Sequence, residues 1–122
     1  MKLVYFGDVM GKSGRTGLDT HLPTVIAKLA PDFIMVNGEN AAHGFGITEK
    51  ICNQFFDLGV DVITTGNHAW DQREIINYID NEPRLLRPLN YPELTPGNGS
   101  GIFEARNGAK VFVGQIMGRL FM

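Results

Sequence analysis

Residues 6–14 read FGDVMGKSG, directly after the apolar run KLVYF at 2–6. A buried strand that ends in a glycine-containing loop and opens a helix is the first step of a layered α/β fold. Two chemistries compete for such a loop. Gly11-Lys12-Ser13 is how a phosphate-cradling P-loop ends, and Asp8, where the strand finishes, suits a metal ion. The register argues against the first. A P-loop needs glycine, four residues, then Gly-Lys-Ser/Thr. The position for that first glycine holds Phe6, and Gly7 is one place late. A carboxylate inside the loop would also repel a phosphate unless a cation intervened. The preferred reading of Lys12 and Ser13 is a solvated turn and a helix N-terminus.

The same alternation continues outward. From Arg15 to Leu29, Leu18, Leu22, Val25, Ile26 and Leu29 recur at helical spacing, with Pro23 predicting a kink or a late start. DFIMVN (32–37) is a second strand and GENAAHGFG (38–46) a long loop. Thr48 caps a second helix whose face carries Ile51, Phe55 and Leu58. VDVITT (60–65) is a third strand ending in Gly66-Asn67-His68, and 72–79 reads as a helix. Beyond Asn81 four prolines and three glycines mark a loop-rich bridge. GIFEA (101–105) and AKVFVGQIM (109–117) then flank an Asn-Gly turn, a hairpin signal. The expected fold is therefore α/β, with early parallel β-α-β units followed by an antiparallel hairpin.

Composition narrows the function classes. With 43% hydrophobic and 20% charged residues, the 122-residue chain is globular and sized for one domain. A net charge of -2 argues against an extended nucleic-acid footprint. The N-terminal apolar run is too short for a signal sequence or a membrane span, so the expectation is a cytoplasmic protein without a membrane partner. A single cysteine, Cys52, excludes a disulfide framework and reads as a small buried hydrophobe. The apolar end, Leu120-Phe121-Met122, reads as a chain stopping short of a natural domain end.

The polar residues that matter lie at the ends of the three early strands: Asp8, then Glu39 and Asn40, then Asn67 and His68. Ligands of open α/β sheets bind beyond the carboxyl ends of the strands, and successive parallel strands bring these loops to one edge. Carboxylate, amide and imidazole donors suit divalent cations. Each residue also has a plainer reading. Asp8 can cap a turn, Glu39 and Asn40 can be solvated, Asn67 can be a left-handed turn residue, and His68 can be a surface histidine. Convergence of three loops favours the metal reading. His43 is open between substrate contact and an ordinary loop residue. For His21 surface or packing use is expected, for Trp70 packing rather than base stacking, and for Arg84, Arg87 and Arg119 exposed charge rather than phosphate contact.

GDVMG (7–11), NGENAAHGFGIT (37–48) and GNHAWD (66–71), with RPLNYPELTPGNG (87–99) and MGR (117–119), resemble the calcineurin-like metallophosphoesterases. More narrowly they are similar to the bacterial YmdB-type phosphodiesterase branch, over essentially the whole chain. The resemblance implies a four-layer α/β/β/α sandwich of which residues 1–122 are the N-terminal half. It implies two divalent metal ions, iron or manganese first, zinc or magnesium as alternatives. Asp8 and Asn40 would bind the first metal, Glu39 would bridge both, and Asn67 would bind the second and orient the phosphate. His68 would be the general acid, a metal-bound hydroxide the nucleophile, and a small phosphodiester such as a 2′,3′-cyclic nucleotide the substrate. Asp71 would orient His68, and His43 is the further candidate for substrate contact. The family's second half supplies histidine ligands in a His-Gly segment and a Gly-x-His-x-His pair. Nothing after His68 matches them, so this chain is expected to carry an incomplete site. Self-association is the expected assembly. The competing readings are a non-catalytic regulatory or scaffold module and a P-loop-type nucleotide hydrolase.

Overall fold

The computed structural model describes residues 1–118. Strands β1 (Leu3–Phe6), β2 (Phe33–Asn37), β3 (Val62–Thr64) and β4 (Leu85–Leu86) form one sheet in that order, every pair parallel. Helices α1 (Gly11–Leu29), α2 (Glu49–Leu58) and α3 (Ile75–Ile79) occupy the successive crossovers. Strands β5 (Ser100–Glu104) and β6 (Lys110–Gly114) pair as an antiparallel hairpin.

Alternation along the strands explains the layering. Ile34, Val36, Ile63 and Leu85 point to one face, where they pack with Leu18, Leu22, Ile51, Phe55, Ile75 and Ile79 of the helices. Phe33, Val62 and Leu86 point to the other, where Ala105, Val111, Val113 and Phe103 of the hairpin region cover them. Burial on both faces is why these strands read as unbroken apolar runs. The described residues thus make three layers: helices, parallel sheet, hairpin.

Local chemistry sets the boundaries. The Thr48 hydroxyl accepts a hydrogen bond from the Ile51 N–H at 3.2 Å, so α2 begins where the sequence predicts. Other boundaries differ from expectation. Helix α1 starts at Gly11, four residues before Arg15, on a Met10 cap with no side-chain bond, and runs unbroken through Pro23. Helix α3 begins only at Ile75, because residues 67–74 form turns instead. Strand β4 lies in the proline-rich stretch expected as loop, and both its leucines are fully buried.

The hairpin is anchored at the turn. Gly108, at φ +85°, closes it with its N–H on the Ala105 carbonyl at 2.9 Å. Arg106 then reaches the N-terminal edge of the sheet. It donates to Asp61 Oδ2 at 2.7 Å and to the Gly59 carbonyl at 2.8 Å. The opposite end of the hairpin runs toward the C-terminal edge of the sheet, where Asn90 and Met117 exchange two hydrogen bonds at 2.7 and 3.0 Å. Arg119 and the apolar end Leu120–Met122 lie outside the described residues.

Candidate metal and phosphoester site

Backbone bonds lace the loops at the C-terminal edge. The Val9 N–H donates to the Asn37 carbonyl at 3.1 Å and Gly11 to Asn40 at 2.9 Å, joining the loops after β1 and β2. Gly38 donates to the Thr64 carbonyl at 2.9 Å, joining β2 to β3, and Thr65 donates to Leu86 at 3.0 Å, joining β3 to β4. The three motif loops therefore meet at one edge.

Side chains of the first two loops meet as well, and the second packs on the backbone of the third. Asp8 holds a left-handed backbone, φ +39°, which is strained for an aspartate and places it just past β1. Asn40 donates its amide to Asp8 Oδ1 at 2.7 Å, which leaves the Asn40 carbonyl oxygen free as a neutral donor. The Glu39 carboxylate packs against the Gly66 backbone so closely that a Cβ there would lie 2.5 Å from both oxygens. A side chain at position 66 would push the carboxylate away, so Gly66 lets Glu39 lie against the turn that leads into Asn67 and His68. Asp71 holds His68 through Nδ1 at 2.6 Å. That contact fixes the ring and leaves Nε2 for other work.

His43 stands apart from this group. It is exposed, with φ +56°, and borders a cavity of about 330 Å³ shared with Arg15, Thr48, Lys50, Gln54 and Gln72. Lys12 also faces the helix layer, lining a cavity of about 430 Å³ with Arg15, Asp19, Gln54 and Asp57. His21 is exposed on α1. Trp70 packs on the helix-side core and against Tyr91, ring centroids 6.3 Å apart, so its expected packing role holds.

Arg87 departs from the expected solvated role, whereas Arg84 is exposed as expected. Arg87 is only 6% exposed and donates to the carbonyls of Pro88, Thr95 and Pro96, which ties down the loop after β4. Arg84 is paired with Glu82 at 2.7 Å and lies 3.8 Å over the Phe56 ring. Burial pushes the Cys52 thiol far up, so it stays a protonated core group.

Tyr91 is not apparent from the sequence. Its hydroxyl donates to the Gly66 carbonyl at 3.1 Å and so braces the turn that carries Asn67 and His68. Burial first, then the charges of Glu39 and Asp71, raises its pKa and keeps it a donor. A lone tyrosine in a proline-rich loop carries no periodic signal that would identify it.

The donor set fits a cation. Glu39 Oε2 is buried without a hydrogen-bond partner, an expensive state for a carboxylate that a divalent ion relieves. Asp8 and the Asn40 and Asn67 amides are further hard oxygen donors on the loops at the same sheet edge. Among the described residues, however, no three of His, Cys, Asp and Glu gather closely enough to hold an ion by themselves. Nor is any helix among those residues long and apolar enough to cross a membrane.

Comparison with known proteins assigns the family and the fold. Residues 4–122 match the profile of a family described as YmdB-like protein. The chain is 45% identical over 122 residues to a Bacillus subtilis protein named 2′,3′-cyclic-nucleotide 2′-phosphodiesterase, covering all of this chain and 46% of that one. It superposes on a crystallised hypothetical protein of Thermus thermophilus with TM-score 0.92 and 38% identity, covering 100% of this chain and 47% of the other. A crystal structure described as a novel phosphatase of Mycoplasma pneumoniae matches with TM-score 0.87 and 34% identity, covering 97% and 43%. The chain thus spans slightly less than half the length of these relatives.

Proposed function

The chain belongs to the YmdB-like family, and on that footing we propose that the protein hydrolyses small phosphodiesters, 2′,3′-cyclic nucleotides among them, at a dinuclear metal centre. The observation that carries the proposal is the buried, unpartnered Oε2 of Glu39, held against Gly66 on the turn that leads into Asn67 and His68.

Asp8 and Asn40 would hold one ion, Asn67 the second, and Glu39 both. Divalent cations, iron, manganese, zinc or magnesium, supply charge neutralisation at the phosphoryl group and a nucleophile at neutral pH. The protein's own groups do the rest. The Asn40 amide bond to Asp8 fixes both donors before any ion arrives. Asn67, one residue after the Gly66 against which Glu39 packs, would orient the phosphate. Protonated His68, held through Nδ1 by Asp71, delivers the Nε2 proton to the leaving alkoxide. Two carboxylates are too few for two ions, so the remaining ligands come from polypeptide beyond the described residues. They are expected to be histidines, in the portion of the relatives' length that this chain does not span. A homo-oligomer in the cytoplasm is the proposed setting.

The test is metal analysis of the full-length protein with turnover of bis-p-nitrophenyl phosphate. Bound divalent metal and hydrolysis are expected, and His68→Ala should lower turnover of 2′,3′-cyclic AMP, whose alkoxide leaving group needs a proton, about 10²-fold with metal retained. A metal-free, inactive full-length protein sinks the reading; full activity in His68→Ala removes the general acid.

A further inference from the structure

We propose that Phe45 is the platform on which the aromatic part of the substrate, a nucleobase, stacks; this inference rests on the phosphodiesterase reading above. Phe45 lies at the tip of the loop after β2 and is 60% exposed. Single exposed apolar side chains are ordinary and need no explanation. This one differs in how firmly it is held and in what it faces.

The loop is pinned on every side of Phe45. Its N–H donates to the Ala42 carbonyl at 2.9 Å, and its own carbonyl accepts from Gln72 Nε2 at 2.8 Å. The next residue, Gly46, donates to the Glu39 carbonyl at 2.6 Å. Gly44 and Gly46 turn the chain at φ +86° and +75°, and a Cβ on Gly46 would come within 3.0 Å of the His68 carbonyl. Phe45 is therefore fixed to the backbone of a candidate metal ligand on one side and to the His68 turn on the other. Its ring centre is 6.1 Å from that of His68, with the planes at 84°.

The position selects the ligand. His68 serves the leaving oxygen, so a ring beside it flanks the leaving group rather than the phosphoryl group. A pre-ordered apolar face there favours a flat aromatic moiety, since stacking gains contact area without further ordering of the protein. Trp70, the other aromatic of the motif loops, is half-buried against Tyr91 and the core. In a nucleotide diester the aromatic moiety next to the leaving oxygen is the base. Stacking reads a π-face and not a hydrogen-bond pattern, so purine and pyrimidine nucleotides both qualify.

The experiment titrates adenosine 3′-monophosphate and glycerol 2-phosphate into the metal-loaded full-length protein by calorimetry. Phe45→Ala should weaken the nucleotide about 10-fold and leave glycerol phosphate unchanged, and Phe45→Tyr should restore nucleotide binding. Equal weakening of both ligands overturns the proposal, because Phe45 then only shapes the loop. No change in either also overturns it. So does a shift in oligomeric state with selectivity intact, which makes Phe45 an interface residue. If the wild type binds neither compound and hydrolyses no diester, the hydrolase reading falls as well. Hydrolysis without any Phe45-dependent selectivity removes this inference alone.

Discussion

The two edges of the parallel sheet are built to different rules. At the N-terminal edge an acidic residue precedes each of β2, β3 and β4, and each is satisfied. Asp32 accepts from the Lys2 N–H at 2.7 Å. Asp61 accepts from the Ile34 N–H at 2.8 Å and from Arg106 at 2.7 Å. Glu82 is held by Arg84 through two guanidinium contacts at 2.7 and 3.0 Å. At the C-terminal edge Asp8 is strained, and half-buried Glu39 has one buried, unpartnered oxygen. One edge secures the fold. The other holds back its bonding capacity, which is what a ligand site requires, at some loss of stability.

Exchanging these properties should break the contrast. The largest effect is expected from Glu39→Gln, which keeps shape and removes charge. Metal content should fall, and turnover should drop about 10³-fold. Chemical denaturation of the metal-free variant should show stability equal to or above the wild type, and a clear loss would show that Glu39 is structural. Asp61→Ala should do the reverse. It strips the acceptor from the Ile34 N–H and from Arg106, and should lower unfolding free energy by about 1–3 kcal/mol in urea titrations. Metal content and turnover of the folded fraction should not change.

The smallest effect concerns Glu82. Its hydrogen bonds from Arg84 hold its pKa below the ordinary carboxylate value. A lowered folded pKa stabilises fully above the unfolded value of about 4.3, and the contribution disappears as pH falls through the folded value. Arg84 is largely solvated, so screening holds the gain to about 1 kcal/mol or less. Unfolding at pH 7 and pH 3 should therefore separate wild type from Glu82→Gln only at the higher pH. A difference that grows toward pH 3 would contradict the assigned sign.

Much of this is legible in the residues, for physical reasons that differ between elements. Strand β2 and helix α2 follow local rules: an apolar run buried on both faces, and a Thr48 cap with Gly59 at φ +107° ending the helix. The hairpin declares itself through Asn107-Gly108. Helix α1 hides its start because Met10 offers no capping side chain, and Pro23 signals an interruption that the helix instead carries. Strand β4 is two residues long between prolines, too short for any periodicity, and exists because the sheet buries both leucines. The motif loops are readable because parallel topology dictates that they converge. Bracing by Tyr91, burial of Arg87 and the seating of Phe45 beside His68 are not. Each depends on contacts that no local pattern encodes.

Strand order in this sheet repeats chain order. Each strand therefore docks beside the one made just before it, across loops of about 20–30 residues, a short reach for a parallel sheet. On a ribosome the loops bearing Asp8, Glu39 and Asn67 can come together while the hairpin is still being synthesised. The Arg106 clasp on Asp32 and Asp61 spans 74 and 45 residues, so it can close only after the three motif loops have been made. The part of the candidate site that this chain carries can thus gather before the fastening that secures the opposite edge.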